Sequence, residues 1–147
     1  MVDPTELFID LVRAETRLYN LVDARIRAAH DGLSVGQLQI IQLIGAMTDC
    51  RVADIVADID ITVGAASKAI DRIVAGGYCR RAENPHDRRS SILVLTEKGE
   101  RAAAEGWPTL GAAVAELTHG VVPAADLETT ARTLAALRVA LKDAGGA

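Results

Sequence analysis

Between Thr62 and Leu95 the chain changes its hydrophobic period once, from that of a helix to that of a strand. This feature restricts the fold more than any other. With Val63 set at zero and about 100° added per residue, Val63, Ala66, Ile70, Ile73 and Val74 gather in one arc, the expected core side. Gly64, Ala65, Lys68, Arg72 and Ala75 fall opposite, with Asp71 near the edge and Ser67 at the boundary. The outward face is therefore small residues punctuated by two cations. Gly76-Gly77 ends this helix, which is predicted over 63–75 with Thr62 as its N-cap. Tyr78–Arg81 and Ser91–Leu95 then read as two short strands around a polar tip, 83–89, too long for a tight turn and suited to a projecting loop.

The flanking segments read as helices. Leu7, Leu11, Ala14, Leu18, Val22 and Ile26 form one stripe of a helix over 6–29, which Asp31-Gly32 ends. Ser34, three residues before Gln37, fits a capping box for a second helix running to about Met47 with Leu38, Ile41 and Leu43/Ile44 inward. A short helix over 51–58 buries Val52, Ile55, Val56 and Ile59. After the hairpin, Thr96-Glu97-Lys98-Gly99 opens a helix in which Gly106-Trp107-Pro108 predicts a kink or break, since proline lacks the N–H and crowds the preceding turn. Pro123 suits the first position of a last helix lined by Leu127, Leu134, Leu137 and Leu141, and Gly145–Ala147 reads as a frayed tail.

Charge is distributed unevenly. The net charge of −4 argues against a nucleic-acid partner when taken alone. Yet residues 62–101 hold eight basic groups against five acidic ones, while the remainder holds eight basic and fifteen acidic. Salt screens charges beyond roughly 8–10 Å, so the local excess governs phosphate attraction. Only four residues are aromatic, which favours helices packed through aliphatic stripes. Cys50 and Cys79 form no CxxC pair, and His30, His86 and His119 are scattered, so no metal site or cofactor is expected. No signal peptide and no run of about 18 apolar residues is visible, and the expectation is a cytoplasmic protein without a membrane partner.

Three short helices followed by a two-stranded hairpin is the winged helix-turn-helix plan, in which one helix is held proud to enter the major groove. The segment 66–78 resembles the recognition helix of the MarR family and its exit: a small residue, Ser67, Lys68, two residues, Asp71-Arg72-Ile73, and then Gly77. Asn84-Pro85-His86-Asp87-Arg88-Arg89-Ser90 and Leu95-Thr96-Glu97-Lys98-Gly99 are similar to that family's wing and the start of its next helix. The resemblance implies a mainly α fold with a small β-hairpin wing. It places a winged helix-turn-helix domain at 31–99 and a helical dimerisation region at 1–30 and 100–147. It further implies a dimeric, double-stranded-DNA-binding transcriptional regulator on a palindromic operator, a repressor released by a small anionic or phenolic effector.

Carried over by position, the DNA-contacting residues would be Thr62, Gly64, Ala65, Ser67, Lys68 and Arg72, with Arg88 as the wing-tip arginine in the minor groove. Asp71, Asp87 and Arg89 would brace the wing, Arg89 pairing with Asp71. Arg17, Tyr19, Met47 and Trp107 are candidates to line an effector pocket, although filling the dimer core is the preferred reading of Trp107. Family members that sense oxidants use a thiol near the start of the first helix, which this chain lacks. Three departures stand out: Gly64-Ala65 offer no polar side chain, Tyr78 replaces a leucine, and Gly106-Trp107-Pro108 interrupts a helix. The competing readings are a winged-helix protein-interaction module without DNA binding, for which Lys68 and Arg72 are only a solvated face, and an enzyme. The enzyme reading finds no nucleophile–base spacing or phosphate loop in its support.

Overall fold

The structure, a computed structural model, describes residues 1–145. Gly146 and Ala147 of the expected tail lie outside that range. The elements follow in the order α1 (Pro4–Ala29), α2 (Val35–Ala46), α3 (Val52–Ile59), α4 (Val63–Ala75), β1 (Cys79–Glu83), β2 (Ser91–Leu95), α5 (Glu97–Thr118) and α6 (Ala124–Ala144). They form two compact units, Met1–Ala113 and a second beginning at Val114.

In the first unit, local capping fixes where each helix begins. The Asp3 carboxylate accepts the Thr5 N–H at 2.8 Å and opens α1. Ser34 and Gln37 close both halves of the capping box at α2, at 3.0 and 2.9 Å. Asp23 ties α1 to α2: its carboxylate takes the Arg27 guanidinium at 2.7 Å and the Val35 N–H at 2.8 Å. Burial by itself would raise the Asp23 pKa, but these two partners outweigh it and hold the group below its ordinary value.

The core of this unit gathers Ile26 of α1, Leu38 and Ile41 of α2, Ile55 of α3, and Ile70 and Ile73 of α4, all fully buried. Each such side chain contributes roughly 1.5–3 kcal/mol relative to exposure. α4 packs on α2, α3 and β1, and β2 packs on α2 and α3, so the hairpin is part of the domain body at its base. The antiparallel register pairs Cys79 with Leu95 and Glu83 with Ser91. Cys50 and Cys79 are both buried free thiols. Burial, reinforced by the Asp54 charge, pushes the Cys50 thiol up to about 11, and burial raises Cys79 as well.

Val63, placed on the core side by periodicity, is 64% exposed. It is the first residue of α4, and helical phase gives a direction but not how far the neighbouring helices extend along the axis. The α1 stripe divides likewise: Val22 and Ile26 are buried, whereas Leu7 and Leu11 are exposed. Of the kink or break expected at Gly106-Trp107-Pro108, the break does not occur, and α5 continues through Pro108. The Thr109 hydroxyl donates to the Glu105 carbonyl at 2.8 Å and accepts from His30 Nε2 at 3.0 Å, tying the end of α1 to this turn of α5. Gly106 is buried there because a Cβ would lie 2.7 Å from Leu38 Cδ1, so this glycine is a packing slot rather than a breaker.

In the second unit Pro123 is the N-cap of α6, not its first residue; its ψ of 145° is extended. α6 buries no residue. Leu127 is half-buried, and Leu134, Leu137 and Leu141 are exposed. Among the described residues, no helix is long and apolar enough to cross a membrane.

Candidate nucleic-acid interface

α4 is presented by its cap and its buried stripe. The Thr62 hydroxyl accepts the Ala65 N–H at 3.1 Å, and Ala66, Ile70 and Ile73 seat the helix on the core. Thr62, Gly64, Ala65, Lys68 and Arg72 are exposed, and Ser67 is half-buried. A Cβ built on Gly64 would meet nothing within 4 Å, so the backbone there faces open space. At its far end the helix closes through Gly77, whose φ of +78° suits glycine and lets the Tyr78 N–H reach the Ile73 carbonyl at 3.0 Å.

The wing is locked at base and tip. At the base the Thr96 hydroxyl donates to the Gly77 carbonyl, and the Thr96 N–H donates to the Tyr78 carbonyl at 3.0 Å. The same hydroxyl accepts the Gly99 N–H at 3.2 Å and so caps α5. Lys98 donates to the Gly76 carbonyl at 2.8 Å and sits 4.4 Å over the Tyr78 ring, a cation–π contact that gives the unusual Tyr78 a role. Gly99 is required: a Cβ there would lie 1.9 Å from the Tyr78 carbonyl oxygen.

At the tip, Asn84 is 7% exposed and organises the loop. Its amide Nδ2 donates to Ser90 Oγ at 3.2 Å, its Oδ1 accepts the His86 N–H at 3.0 Å, and its carbonyl accepts the Asp87 N–H at 3.3 Å. Asp87 accepts the Arg89 N–H at 2.9 Å. Arg88 stands exposed on this ordered turn. A side chain on a loop fixed beforehand loses less freedom when it binds.

Asp71 is paired with Arg81 of β1 at 2.8 Å, not with Arg89. Strand β1 packs against α4, which brings Arg81 to the helix, whereas the Arg89 backbone is held in the tip by Asp87. Arg81 and Asn84 are the two residues to which the sequence gave no role. The signal for Asn84 was present, since asparagine before proline with an aspartate three residues on is turn chemistry. Nothing local pointed to Arg81, because its partner lies across a tertiary contact.

α4 and the wing share an open cleft of about 550 Å³ lined by Val52, Val56, Val63, Ser67, Arg81 and Arg89, among others. The helix start therefore borders one surface with Arg81 and Arg89. The four effector candidates are not gathered. Tyr19 lines a cavity of about 480 Å³ with Arg27, Ser34, Gln37, Ala65 and Arg72. Partial burial, then the nearby Asp23 charge, raises the Tyr19 phenol. Trp107, 42% exposed, lines a different cavity of about 480 Å³ with Gly45, Ala46, Leu95 and Glu100. Arg17 and Met47 are exposed and line neither. The reason is helix length: Gly36 beside Tyr19 and Gly45 beside Trp107 are about 14 Å apart along α2 at 1.5 Å per residue. Among the described residues no cluster of three or more His, Cys, Asp or Glu could hold a metal ion.

Residues 31–90 match the family model described as the MarR family. A curated relative, the HTH-type transcriptional regulator BilQ of Clostridium symbiosum, is 30% identical over 71 residues, covering 48% of this chain and 49% of that protein. The chain thus matches about half the length of that relative. Among solved structures, a mutant MarR from E. coli complexed with operator DNA superposes with a TM-score of 0.77 at 18% identity, covering 92% of this chain and 99% of that one. Sco3205 from Streptomyces coelicolor, in complex with DNA, gives 0.81 at 17% identity over 91% and 84%. The repressor CouR, bound to a 23-mer DNA duplex, gives 0.80 at 21% identity over 94% and 99%. These likenesses establish a mainly helical winged-helix fold with a two-stranded hairpin. Residues 31–90, which hold most of that winged helix, are thus similar to the MarR family.

Proposed function

We infer that this chain is a dimeric, sequence-specific double-stranded-DNA-binding transcriptional regulator, a cytoplasmic repressor released by a small effector and without enzymatic activity. The observation that supports the reading is that two ordered elements each present exposed cations: Lys68 and Arg72 on α4, and Arg88 on a tip ordered by Asn84 and Asp87. In this reading Thr62, Gly64, Ala65, Ser67, Lys68 and Arg72 face the major groove and its phosphates, and Arg88 enters the adjacent minor groove. Asp71 and Asp87 act as braces, Asp71 through Arg81.

The domain division follows the same logic. Residues 31–99 form the winged domain, and 1–30 with 100–147 form the dimerisation region. Leu7, Phe8 and Leu11 of α1 are exposed in the first unit and Leu134, Leu137 and Leu141 of α6 in the second, and each set offers apolar surface to a second copy. Two-fold symmetry then spaces the recognition helices for successive major grooves, about 34–36 Å apart, on a palindromic operator. For the effector, the cavity beside Tyr19 suits a small anionic or phenolic compound, because Arg27 and Arg72 supply the positive charge. Arg72 would then answer to both ligand and DNA, which gives the two states the differential contacts that coupling requires.

The test is fluorescence anisotropy with duplex DNA flanking the chain's own gene, at two salt concentrations. Specific binding that weakens steeply with salt is expected, and Arg88→Ala should weaken it and lower the salt slope by about two, one for each protomer. Binding unaffected by salt, or none at all, would overturn the reading in favour of a protein-interaction module.

A further inference from the structure

Val63 is the residue whose position periodicity misjudged, and its exposure has a use. The first three residues of α4 are Val63, Gly64 and Ala65, all exposed, and none carries a hydrogen-bonding side chain. The outward surface over Gly64 is empty within 4 Å of where a Cβ would stand. Val63, 64% exposed, therefore projects as the one bulky group at that end of the helix. One helical turn further along the same row lies Ser67, and both line the cleft that the wing closes with Arg81 and Arg89. In the DNA-binding reading the start of α4 enters the major groove, which brings base edges to the Val63–Ser67 row.

In the major groove a thymine differs from every other base by its C5-methyl group, the one feature there that an apolar side chain can recognise. A valine carries no donor or acceptor, so against guanine, adenine or cytosine edges it would only strip water from polar atoms. We propose that Val63 is a specificity-determining residue that reads one thymine methyl in each half-site by apolar contact, in place of the polar base readout that Gly64 and Ala65 cannot provide. The inference rests on the DNA-binding reading above and deepens it: the operator is distinguished at the start of α4 by methyl groups rather than by hydrogen bonds. Burying one methyl changes affinity by about fourfold. The two half-sites together therefore give about fifteenfold.

The experiment starts from a random duplex library from which the full-length protein selects its preferred sequence. In the selected duplex each thymine is then replaced singly by deoxyuridine, which removes the methyl and leaves pairing intact, and affinity is read by anisotropy. One thymine per half-site should show a loss of about fourfold with the unaltered protein. The same replacement should cost less with Val63→Ala, whose shorter side chain leaves the methyl less covered and whose exposed position and helix-favouring substituent leave folding intact. Val63→Ala should itself bind the unmodified duplex about fourfold more weakly per half-site. If every thymine tolerates deoxyuridine, or if the loss is undiminished in Val63→Ala, the inference is overturned while DNA binding stands. If no sequence is enriched from the library, the DNA-binding reading falls and takes this inference with it.

Discussion

The winged domain and α6 are built from nearly the same aliphatic alphabet, yet they use it in opposite ways. Every buried apolar side chain among the described residues lies between Val22 and Ala113, and α6 contributes none. Ile70 is fully covered within its own protomer, whereas Leu134 and Leu137, equally apolar and equally helical, are about two-fifths exposed. A leucine left in water gives up the stabilisation that burial would supply, so the contrast points to a surface completed by a second copy. One region is a finished core, and the other is, on the proposed reading, half of an interface.

The largest expected effect attacks the unfinished half. The double substitution Leu134→Asp with Leu137→Asp should weaken self-association by about 100-fold or more, because two charges would be trapped in the apolar contact. Sedimentation at micromolar concentration measures it, and an unaltered protein that already sediments as one protomer would break the comparison. Next comes the finished half. Ile70→Ala should cost about 3 kcal/mol in urea unfolding through the cavity it leaves. In the double-aspartate background, Leu141→Ala should change unfolding by less than about 0.5 kcal/mol. Equal costs at the two positions would show that the exposure of α6 does not hold in solution.

A smaller effect concerns the Asp71–Arg81 pair that joins α4 to the wing. Its arginine and aspartate side chains are 37% and 70% exposed, so a double-mutant cycle should return a coupling below about 1 kcal/mol. The same cycle between Asp71 and Arg89 should return none. The smallest change is in reactivity. Cys50 is fully buried and its thiol is pushed up to about 11, so at pH 8 iodoacetamide should label it only after denaturation. A thiol pKa raised in the folded state adds stability that is complete below the ordinary thiol range and is lost as pH climbs toward 11. Rapid native labelling of Cys50 at pH 8 would show that the winged core opens more readily than its packing implies.

Much of the interface could be read before any coordinates. Ser34 and Gln37 announced the start of α2, Thr62 capped α4 as expected, and the strand-like runs around Asn84–Arg89 lay within two residues of the observed hairpin. Other features were not legible. The exposure of Val63, the continuity of α5 through Pro108, the choice of Arg81 as partner of Asp71 and the separation of Tyr19 from Trp107 all depend on what lies alongside.

From its residues alone the chain could determine whatever is local. Caps, stops, the change of period and the cations on one helical face each arise from interactions within a few positions. Only the folded protomer decided which apolar stripes were covered, which guanidinium met which carboxylate, and which side chains bordered a common cleft. Those outcomes turn on distances between segments far apart in the chain, such as Asp71 to Arg81 across the α4–β1 contact, and periodicity carries no information about such distances.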